Sequence, residues 1–315
     1  MKGWLRKLGP VVGLLFVLLL FAVLTPGNFA TAANLELMLL QTAVVGTAAL
    51  GMTMVIISGG IDLSVGSVIA LSTVVIALLL NAGAPPLVAA FGGVVVGMLC
   101  GSLIGLLITR VRLAPFIVTL GMWGALRGAA KGLANEQMIV APSTWLNRLL
   151  NTLSDHQRWM LLPPGVWLML VLSVLVGIAL RYARRGRHIF AVGSNELAAR
   201  ICGVPVERTK LLVYTLGSGF AALAGVLQFS YLTVGDPTTA SGMELDVIAA
   251  VVIGGGSLAG GEGSVLGSLV GALIMTVVGN GCTKLELPNW VQEIVTGAII
   301  VVAVSLDRLR HRKRI

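Results

Sequence analysis

The chain has 315 residues, of which 57% are hydrophobic and only 11% are charged, and its formal net charge is +9. A mean hydropathy of +0.96 excludes a soluble globular protein. Apolar runs of about 17–25 residues indicate instead an all-α fold, a polytopic membrane helical bundle. The positive charge does not indicate nucleic-acid binding, because no cluster of basic and aromatic residues accompanies it.

Ten apolar segments are long enough to be drawn as membrane-spanning helices, and together they form a single domain over residues 1–315. The first follows a basic stretch but has no clean cleavage site, so we interpret it as an uncleaved span. The eighth is short and ends in glycines. The ten segments are approximately 9–25, 37–58, 64–80, 87–108, 113–131, 161–180, 211–232, 244–258, 264–280 and 288–306.

Most of the 22 Lys and Arg residues lie on one side of this bundle. They concentrate near the N-terminus, at Arg110 and Arg112, in the loop 181–210 and in a basic tail, 307–315. The positive-inside rule then predicts that both termini are cytoplasmic. On the outer side, the loop 132–160 has an amphipathic composition, which suits a short helix lying on the membrane surface.

Asp62 lies in a glycine-containing turn between two apolar segments. A carboxylate at bilayer depth costs about 2.5–3.5 kcal/mol, so such acids are rare and usually functional. Paired glycines let the backbone leave helical geometry, and Ser64 is a good cap for a new helix. We therefore predict a helix break covered by protein or lining a cavity, with Asp62 as a cap or gate. The break comprises Gly59, Gly60, Asp62, Ser64 and Gly66.

A weaker version of the same pattern follows residue 251. The run Val251–Gly256 is similar to Val55–Gly60, and each run leads through one acid to a serine that opens the next segment. Paired glycine-interrupted segments point to a transport pathway. Both breaks face the cytoplasm under the predicted topology, and the symmetry between them is left open. The second break comprises Gly255, Gly256 and Glu262.

Small residues recur every four positions in three segments, a spacing that lets helix backbones approach closely. Packing within the chain explains them better than a subunit interface does, because so glycine-rich a chain matches the spacing often by chance. The three series are Gly93, Gly97, Gly101 and Gly105; Gly217, Ala221 and Gly225; and Gly263, Gly267 and Gly271.

The fifth segment carries the best candidates for a solute pathway. Its helical spacing places aromatic and hydrogen-bonding residues on one face, a combination that suits a neutral polyhydroxylated solute. An equally weighted alternative is that Trp123 packs in the bundle and Arg127 extends to the outer interface. The pathway candidates are Phe116, Thr119, Trp123, Gln228 and Tyr231, of which the last two also suit interhelical hydrogen bonds.

No catalytic set and no metal-ligand spacing occur in the sequence, so we expect neither an enzyme nor a cofactor. The Gly-x4-Gly-Lys-[Ser/Thr] motif is absent, which excludes nucleotide hydrolysis of that type by this chain alone. The acids lie at breaks or segment ends, whereas ion coupling usually needs acids well inside helices. A stand-alone ion-coupled carrier or channel is therefore the alternative rather than the preferred function.

The loop 181–210 contains a short helical pattern that begins at Ser194 or Asn195 and is stopped by Gly203. Leu197 and Ile201 would be exposed on it, as in a helix that docks in the groove of a partner. The alternative is a helix lying on the inner edge of the bundle. The residues assigned to docking are Gly193, Glu196, Leu197, Ala198, Ala199, Ile201 and Gly203.

Four ordered stretches, 51–67, 115–122, 191–203 and 244–267, carry a resemblance that covers nearly the whole chain. The chain resembles the permease subunits of ATP-binding-cassette (ABC) sugar importers of the ribose/xylose/arabinose/galactose branch. The resemblance implies a bacterial inner-membrane protein, a second permease subunit, a cytoplasmic ABC ATPase and a periplasmic sugar-binding protein. Surrounding membrane lipid is the remaining partner.

The resemblance also implies that the 193–203 helix couples the permease to its ATPase, like the Glu-Ala-Ala loop of importer permeases. This chain has Leu197 where that pattern has its first Glu, and Glu196 just before it. The implied function is import of a neutral monosaccharide, a pentose or deoxyhexose such as ribose, by alternating access.

Overall fold

The computed structural model describes residues 2–153 and 159–312, which form an almost entirely helical bundle. The expected all-α polytopic fold is confirmed. Within the described ranges, the only strands are β1 (Ile139–Val140) and β2 (Val234–Gly235), which pair antiparallel. The helices are α1 (Lys2–Leu24), α2 (Ala32–Ile57), α3 (Val65–Asn81), α4 (Pro86–Thr109), α5 (Pro115–Leu133), α6 (Pro164–Tyr182), α7 (Arg184–Ser194), α8 (Glu196–Ile201), α9 (Val206–Leu232), α10 (Met243–Ile253), α11 (Val265–Lys284) and α12 (Asn289–Arg312).

Each of the ten predicted segments contains a helix, but the helices differ in length. Helices α2, α4, α6, α9 and α11 are long and apolar enough to cross a membrane, and shorter apolar stretches lie in α1, α3 and α12. Helix α10 has only 11 residues, a rise of about 16 Å against a hydrocarbon core of about 30 Å. The predicted span 244–258 is therefore corrected to a half-crossing that stops at Ile253, before Gly254.

The described residues of the predicted outer loop pack against the bundle, and the surface helix expected in this loop stays a prediction. A four-residue 3-10 helix, Trp145–Arg148, has its Leu146 buried against α9. The backbone N–H of Leu150 donates to Ser230 Oγ at 2.9 Å, and the β1–β2 pairing fastens the loop further. Positions 154–158 of this loop and 313–315 of the basic tail lie outside the described residues.

The glycine series in α4 holds the centre of the bundle together. A side chain at Gly97 would contact Ala222 and the carbonyl oxygen of Ser218, and one at Gly101 would contact the carbonyl oxygen of Tyr214. These contacts bring α4 and α9 to backbone contact. The other two series also pack within the chain: Gly217 and Gly225 of α9 contact α2 and α3, and Gly267 and Gly271 of α11 contact Gly254 and Ala250.

Candidate coupling junction and solute pathway

The first break begins with a glycine turn that closes α2. The N–H of Gly60 donates to the carbonyl oxygen of Val55 at 3.0 Å, and that of Gly59 donates to Ile56 at 2.9 Å. This pair of bonds is the Schellman pattern, which needs a left-handed residue at its turn. Gly59 has a φ of +82° and supplies that conformation without a Cβ penalty. The predicted break is present.

Asp62 organises the start of α3. Its side chain is 1% exposed, and its Oδ1 accepts hydrogen bonds from Ser64 N–H at 2.8 Å and from Ser64 Oγ at 2.6 Å. Ser64 occupies the cap position but makes no capping bond to α3, so the expectation that its side chain caps the helix is wrong. Ser64 donates to the carboxylate, and Asp62 fixes the turn.

Two polar groups without a hydrogen-bond partner in the described part of the chain are buried beside this turn. Within the described residues, Asp62 Oδ2 and Tyr214 Oη are both buried without a hydrogen-bond partner. The Tyr214 hydroxyl packs directly against Gly60, because a side chain at position 60 would collide with it. Gly66 is confined in the same way by the carbonyl oxygen of Ala240 and the carboxylate of Glu244. The glycines of the break thus make room for polar groups of α9 and α10.

The second break has the same pair of backbone hydrogen bonds as the first. The N–H of Gly256 donates to Val251 at 2.8 Å and that of Gly255 donates to Val252 at 3.0 Å, and Gly255 has a φ of +94°. The acids, however, are not equivalent, because Glu262 is partly exposed where Asp62 is buried. At this break the serine does cap its helix, since Ser264 Oγ accepts from the N–H of Gly267 at 3.3 Å.

The two breaks meet at one point, and a third segment joins them there. The N–H of Gly261 donates to the carbonyl oxygen of Ile57 at 2.9 Å. A side chain at Gly193 of α7 would contact both of these backbone groups, and one at Gly260 would contact Gly193 and Gly59. We call this contact of three backbones the glycine junction; it consists of Gly59, Gly193, Gly260 and Gly261.

The predicted docking helix is a pair of helices. Gly193 belongs to the end of α7, so its assignment to the helix 193–203 is corrected. Asn195 begins α8, and its Oδ1 accepts from the N–H of Ala198 at 2.9 Å. The helix ends at Ile201, and Gly203 lies in the turn that follows, with a φ of +78°. We call α7 and α8 together, Arg184–Ile201, the coupling hairpin.

Helix α8 packs on one face and is open on the other. Ala199 is buried with Val192 and Val206 in a small apolar cluster, whereas Leu197 is 74% exposed and Ile201 is 87% exposed. Ala198 is also exposed. The docking helix predicted from the sequence therefore describes the exposed side of α8. The alternative, a helix lying on the inner edge of the bundle, describes its buried side.

Ion pairs fix the polar side of α8 to the start of α9. Glu196 pairs with Lys210 at 2.6 Å and with Arg200 at 3.8 Å, and Arg200 pairs with Glu207 at 2.6 Å. Exposed pairs contribute little stability individually, but a network restrains orientation. The apolar face carrying Leu197 and Ile201 is thus presented by a fixed helix.

The polar face of α5 supports the first break and the loop after α9. Thr119 Oγ1 donates to the carbonyl oxygen of Ile61 at 3.2 Å, and Trp123 Nε1 donates to Glu244 Oε1 at 3.1 Å. Both side chains are therefore already used in bonds to other elements. The side chain of Phe116, which we placed with them, is 53% exposed.

Arg127 distinguishes between the two interpretations of the fifth segment. It is 9% exposed, and its Nη1 donates to the carbonyl oxygens of Pro237 at 3.1 Å and Thr239 at 2.6 Å. The alternative in which Arg127 extends to the outer interface is therefore wrong. The guanidinium instead holds the irregular segment 233–242, which precedes the half-length helix α10. Irregular backbone at bilayer depth needs such protein cover.

Gln228 and Tyr231 line a separate polar cavity of about 550 Å³. Five helices contribute to it: α2, α9, α10, α11 and α12. Gln228 Nε2 donates to Thr239 Oγ1 at 2.9 Å. Amide, carboxylate and hydroxyl groups are the donors and acceptors that bind sugar hydroxyls. Phe116, Thr119 and Trp123 do not line this cavity. Further polar residues that line it are Gln41, Asp246, Asn280, Lys284 and Gln292.

No group of three or more His, Cys, Asp or Glu residues in the described ranges is arranged to hold a metal ion. The features that remain are a membrane bundle, two joined helix breaks, an exposed coupling hairpin and a polar cavity. They agree with the membrane permease expected from the sequence.

Comparison with known proteins gives the family. Residues 34–304 match the family described as "Branched-chain amino acid transport system / permease component". The chain is 36% identical to the ribose import permease protein RbsC of Escherichia coli (strain K12), over 98% of this chain and 96% of that protein. It is 36% identical to the fructose import permease protein FrcC of Rhizobium meliloti, over 95% and 84%. It is also 36% identical to the L-arabinose ABC transporter permease protein AraH of Azospirillum brasilense, over 94% and 87%.

The chain belongs to this permease family, and the resemblance to ABC sugar import permeases predicted from the four sequence stretches is confirmed. It is a multi-pass membrane transport component. No solved structure matches the chain.

The bond between Ser64 and Asp62 gives a testable prediction. Ser64→Ala removes the Oγ–Oδ1 bond and leaves a buried carboxylate short of a donor, which costs about 1.5–3 kcal/mol. We expect a lower midpoint of thermal unfolding for the purified protein in detergent. Ser58→Ala, across the same break, removes only a bond to the carbonyl oxygen of Val55 and is expected to be nearly neutral. Equal midpoints for the two variants would contradict the role of Asp62.

Proposed function

We propose that this chain is the transmembrane subunit of an ATP-driven importer for a neutral monosaccharide, a pentose or deoxyhexose such as ribose. It acts as a single membrane domain in the bacterial inner membrane, with both termini cytoplasmic. A separate ABC ATPase hydrolyses ATP, and a periplasmic binding protein delivers the sugar. The observation that carries the proposal is the glycine junction, which connects an exposed coupling hairpin directly to two helix breaks. The sugar import permeases among its relatives support the substrate class.

The junction explains how force reaches the membrane helices. The ATPase closes on Leu197 and Ile201 and moves α8, and α7 carries the motion to Gly193. At Gly193 the contact is backbone against backbone, with no flexible side chain to absorb a displacement. Ile57 and Gly261 are bonded to each other, so both breaks move together. Helices α2 and α3, and α10 and α11, then reorient about their glycine turns in alternating access.

We place a second permease subunit against α5. This helix packs on α3 and α4, and its other face is open, since nothing lies within 4 Å of a side chain added at Gly121, Gly124 or Gly128. A stripe of small residues allows close approach of a partner helix. Phe116 lies on the exposed side of the same helix and would face the second subunit there.

Docking on α8 is the first test of this function. We expect Leu197→Asp with Ile201→Asp to abolish assembly with the ATPase, because two carboxylates would face an apolar groove. The measurement is co-purification of the ATPase, followed by its ATP hydrolysis in nanodiscs with the binding protein and a panel of neutral sugars. Leu133→Asp with Met138→Asp, the same change at exposed positions on the predicted outer side, is the control. Flux through the chain alone, driven by an ion gradient, would instead support the stand-alone carrier.

Transmission through the junction is tested separately from docking. Gly193→Val inserts a side chain between Ile57 and Gly261, and overpacking of this kind costs about 1–3 kcal/mol. We expect the ATPase still to co-purify while sugar-stimulated hydrolysis falls by about tenfold. Gly297→Val makes the same change in α12, where nothing lies within 4 Å of the added side chain, and is expected to retain stimulation. Unchanged stimulation in a Gly193→Val complex would exclude the junction as the route of coupling.

The polar cavity is the proposed sugar site, and Gln228 is its test. Gln228→Leu removes an amide that can bond sugar hydroxyls, each bond contributing about 0.5–1.5 kcal/mol. We expect the sugar concentration for half-maximal transport to rise by up to about tenfold. Gln137→Leu, at an exposed position outside the cavity, is the matched control. A sugar dependence that is identical in both variants would place the site elsewhere.

A further inference from the structure

A second cavity, with a different chemistry, opens on the side of the bundle. It has a volume of about 900 Å³ and lies between the last turns of α6, helix α7 and the first turn of α11. Its walls are mostly apolar, and Val174, Ile178 and Leu266 are exposed there. Two cations, Arg181 and Arg187, line it as well. We call it the lateral groove.

The two cations are held in place without an acidic partner. Arg187 Nη1 donates to the carbonyl oxygen of Tyr182 at 3.0 Å, which caps the end of α6. The guanidinium of Arg181 lies 5.3 Å from the centre of the Tyr182 ring. The ion pairs of the described residues join Arg200 and Lys210 to glutamates, and none involves Arg181 or Arg187. Their remaining N–H groups are available to an anion.

In the proposed assembly, the lateral groove faces the membrane rather than the second permease subunit. Helix α6 is long and apolar enough to span the bilayer and packs against α2, α7 and α11, whereas α5 packs against α3 and α4. The groove therefore lies apart from the face where we place the second subunit. In the proposed orientation, Arg181 ends α6 at the cytoplasmic edge of the membrane, where anionic lipid headgroups are found.

We propose that the lateral groove binds one anionic phospholipid of the cytoplasmic leaflet. An acyl chain lies along Val174, Ile178 and Leu266, and the phosphate accepts hydrogen bonds from Arg181 and Arg187. Guanidinium groups bind phosphate oxygens in pairs, which makes them better suited to this ligand than lysine. The site rests on the proposed orientation of the chain. The bound lipid would anchor the start of α7 to the membrane. The other end of α7 forms part of the glycine junction.

Lipid retention tests the charges. The permease–ATPase complex is taken from nanodiscs of phosphatidylethanolamine and phosphatidylglycerol into mild detergent, and retained lipid is counted by native mass spectrometry. We expect Arg181→Gln with Arg187→Gln to lower retained phosphatidylglycerol by about fivefold for each charge removed. Arg184→Gln with Arg185→Gln removes the same charge from α7 at residues that line a different cavity, and retention is expected to persist. An equal loss in both double variants would overturn the site in favour of diffuse surface attraction.

A second variant tests the groove itself and leaves every charge in place. Nothing lies within 4 Å of a side chain added at Gly177, which lines the groove, so Gly177→Leu fills it without disturbing the fold. We expect loss of the retained phosphatidylglycerol, whereas Leu175→Phe, exposed on α6 outside the groove, keeps it. Unchanged lipid retention in Gly177→Leu overturns the proposal. A mass spectrum in which this variant loses a permease subunit instead of the lipid overturns it as well.

Retention is read independently of ATP hydrolysis. We expect the variants of the lateral groove to lose the bound lipid while the sugar still stimulates ATP hydrolysis. Retention that never depended on Arg181, Arg187 or Gly177 refutes the lipid site and leaves the importer function standing. Failure of the ATPase to assemble would refute the importer function. Retained lipid would then be counted on the permease alone, and the same variants would still test the lipid site.

Discussion

The architecture depends on one steric constraint, the absence of side chains where three backbone segments meet. Ile57 at the end of α2, Gly261 in the second break and Gly193 in α7 approach so closely that no Cβ is accommodated at Gly193. The bond from Gly261 to Ile57 closes the contact. The positions of α3, α11 and the coupling hairpin follow from it, because each begins or ends within a few residues of this point.

The local features of the fold were predictable because they depend on short-range chemistry. Gly59 and Gly255 take left-handed conformations that few other residues adopt, so the breaks are visible in the sequence. The exposure of Leu197 and Ile201 follows from helical spacing around the buried Ala199. The α4 glycines were correctly interpreted as internal packing, and their spacing on one helix face lets α9 approach closely.

The features that were missed depend on partners distant in sequence. Arg127 donates hydrogen bonds to two backbone carbonyl oxygens of the segment 233–242. Every residue type carries such a carbonyl group, so the sequence does not indicate which ones accept these bonds. The polar cavity requires five helices to converge. Gln228 could be suspected, but Asn280 and Gln292 could not be assigned to the same site. The stripe of Thr119, Trp123 and Arg127 was the available signal for the face that binds this segment.

Residues of the coupling hairpin that are close in sequence differ in how far their side chains are free to vary. At Gly193 any side chain would meet backbone, so this position is restricted to a single amino acid. At Leu197 and Ile201, only a few residues away, the side chains point away from the chain and are free to change with whatever surface they meet. Under the proposed function, adaptation to a different ATPase would therefore require substitutions in α8 alone, whereas Gly193 would stay unchanged.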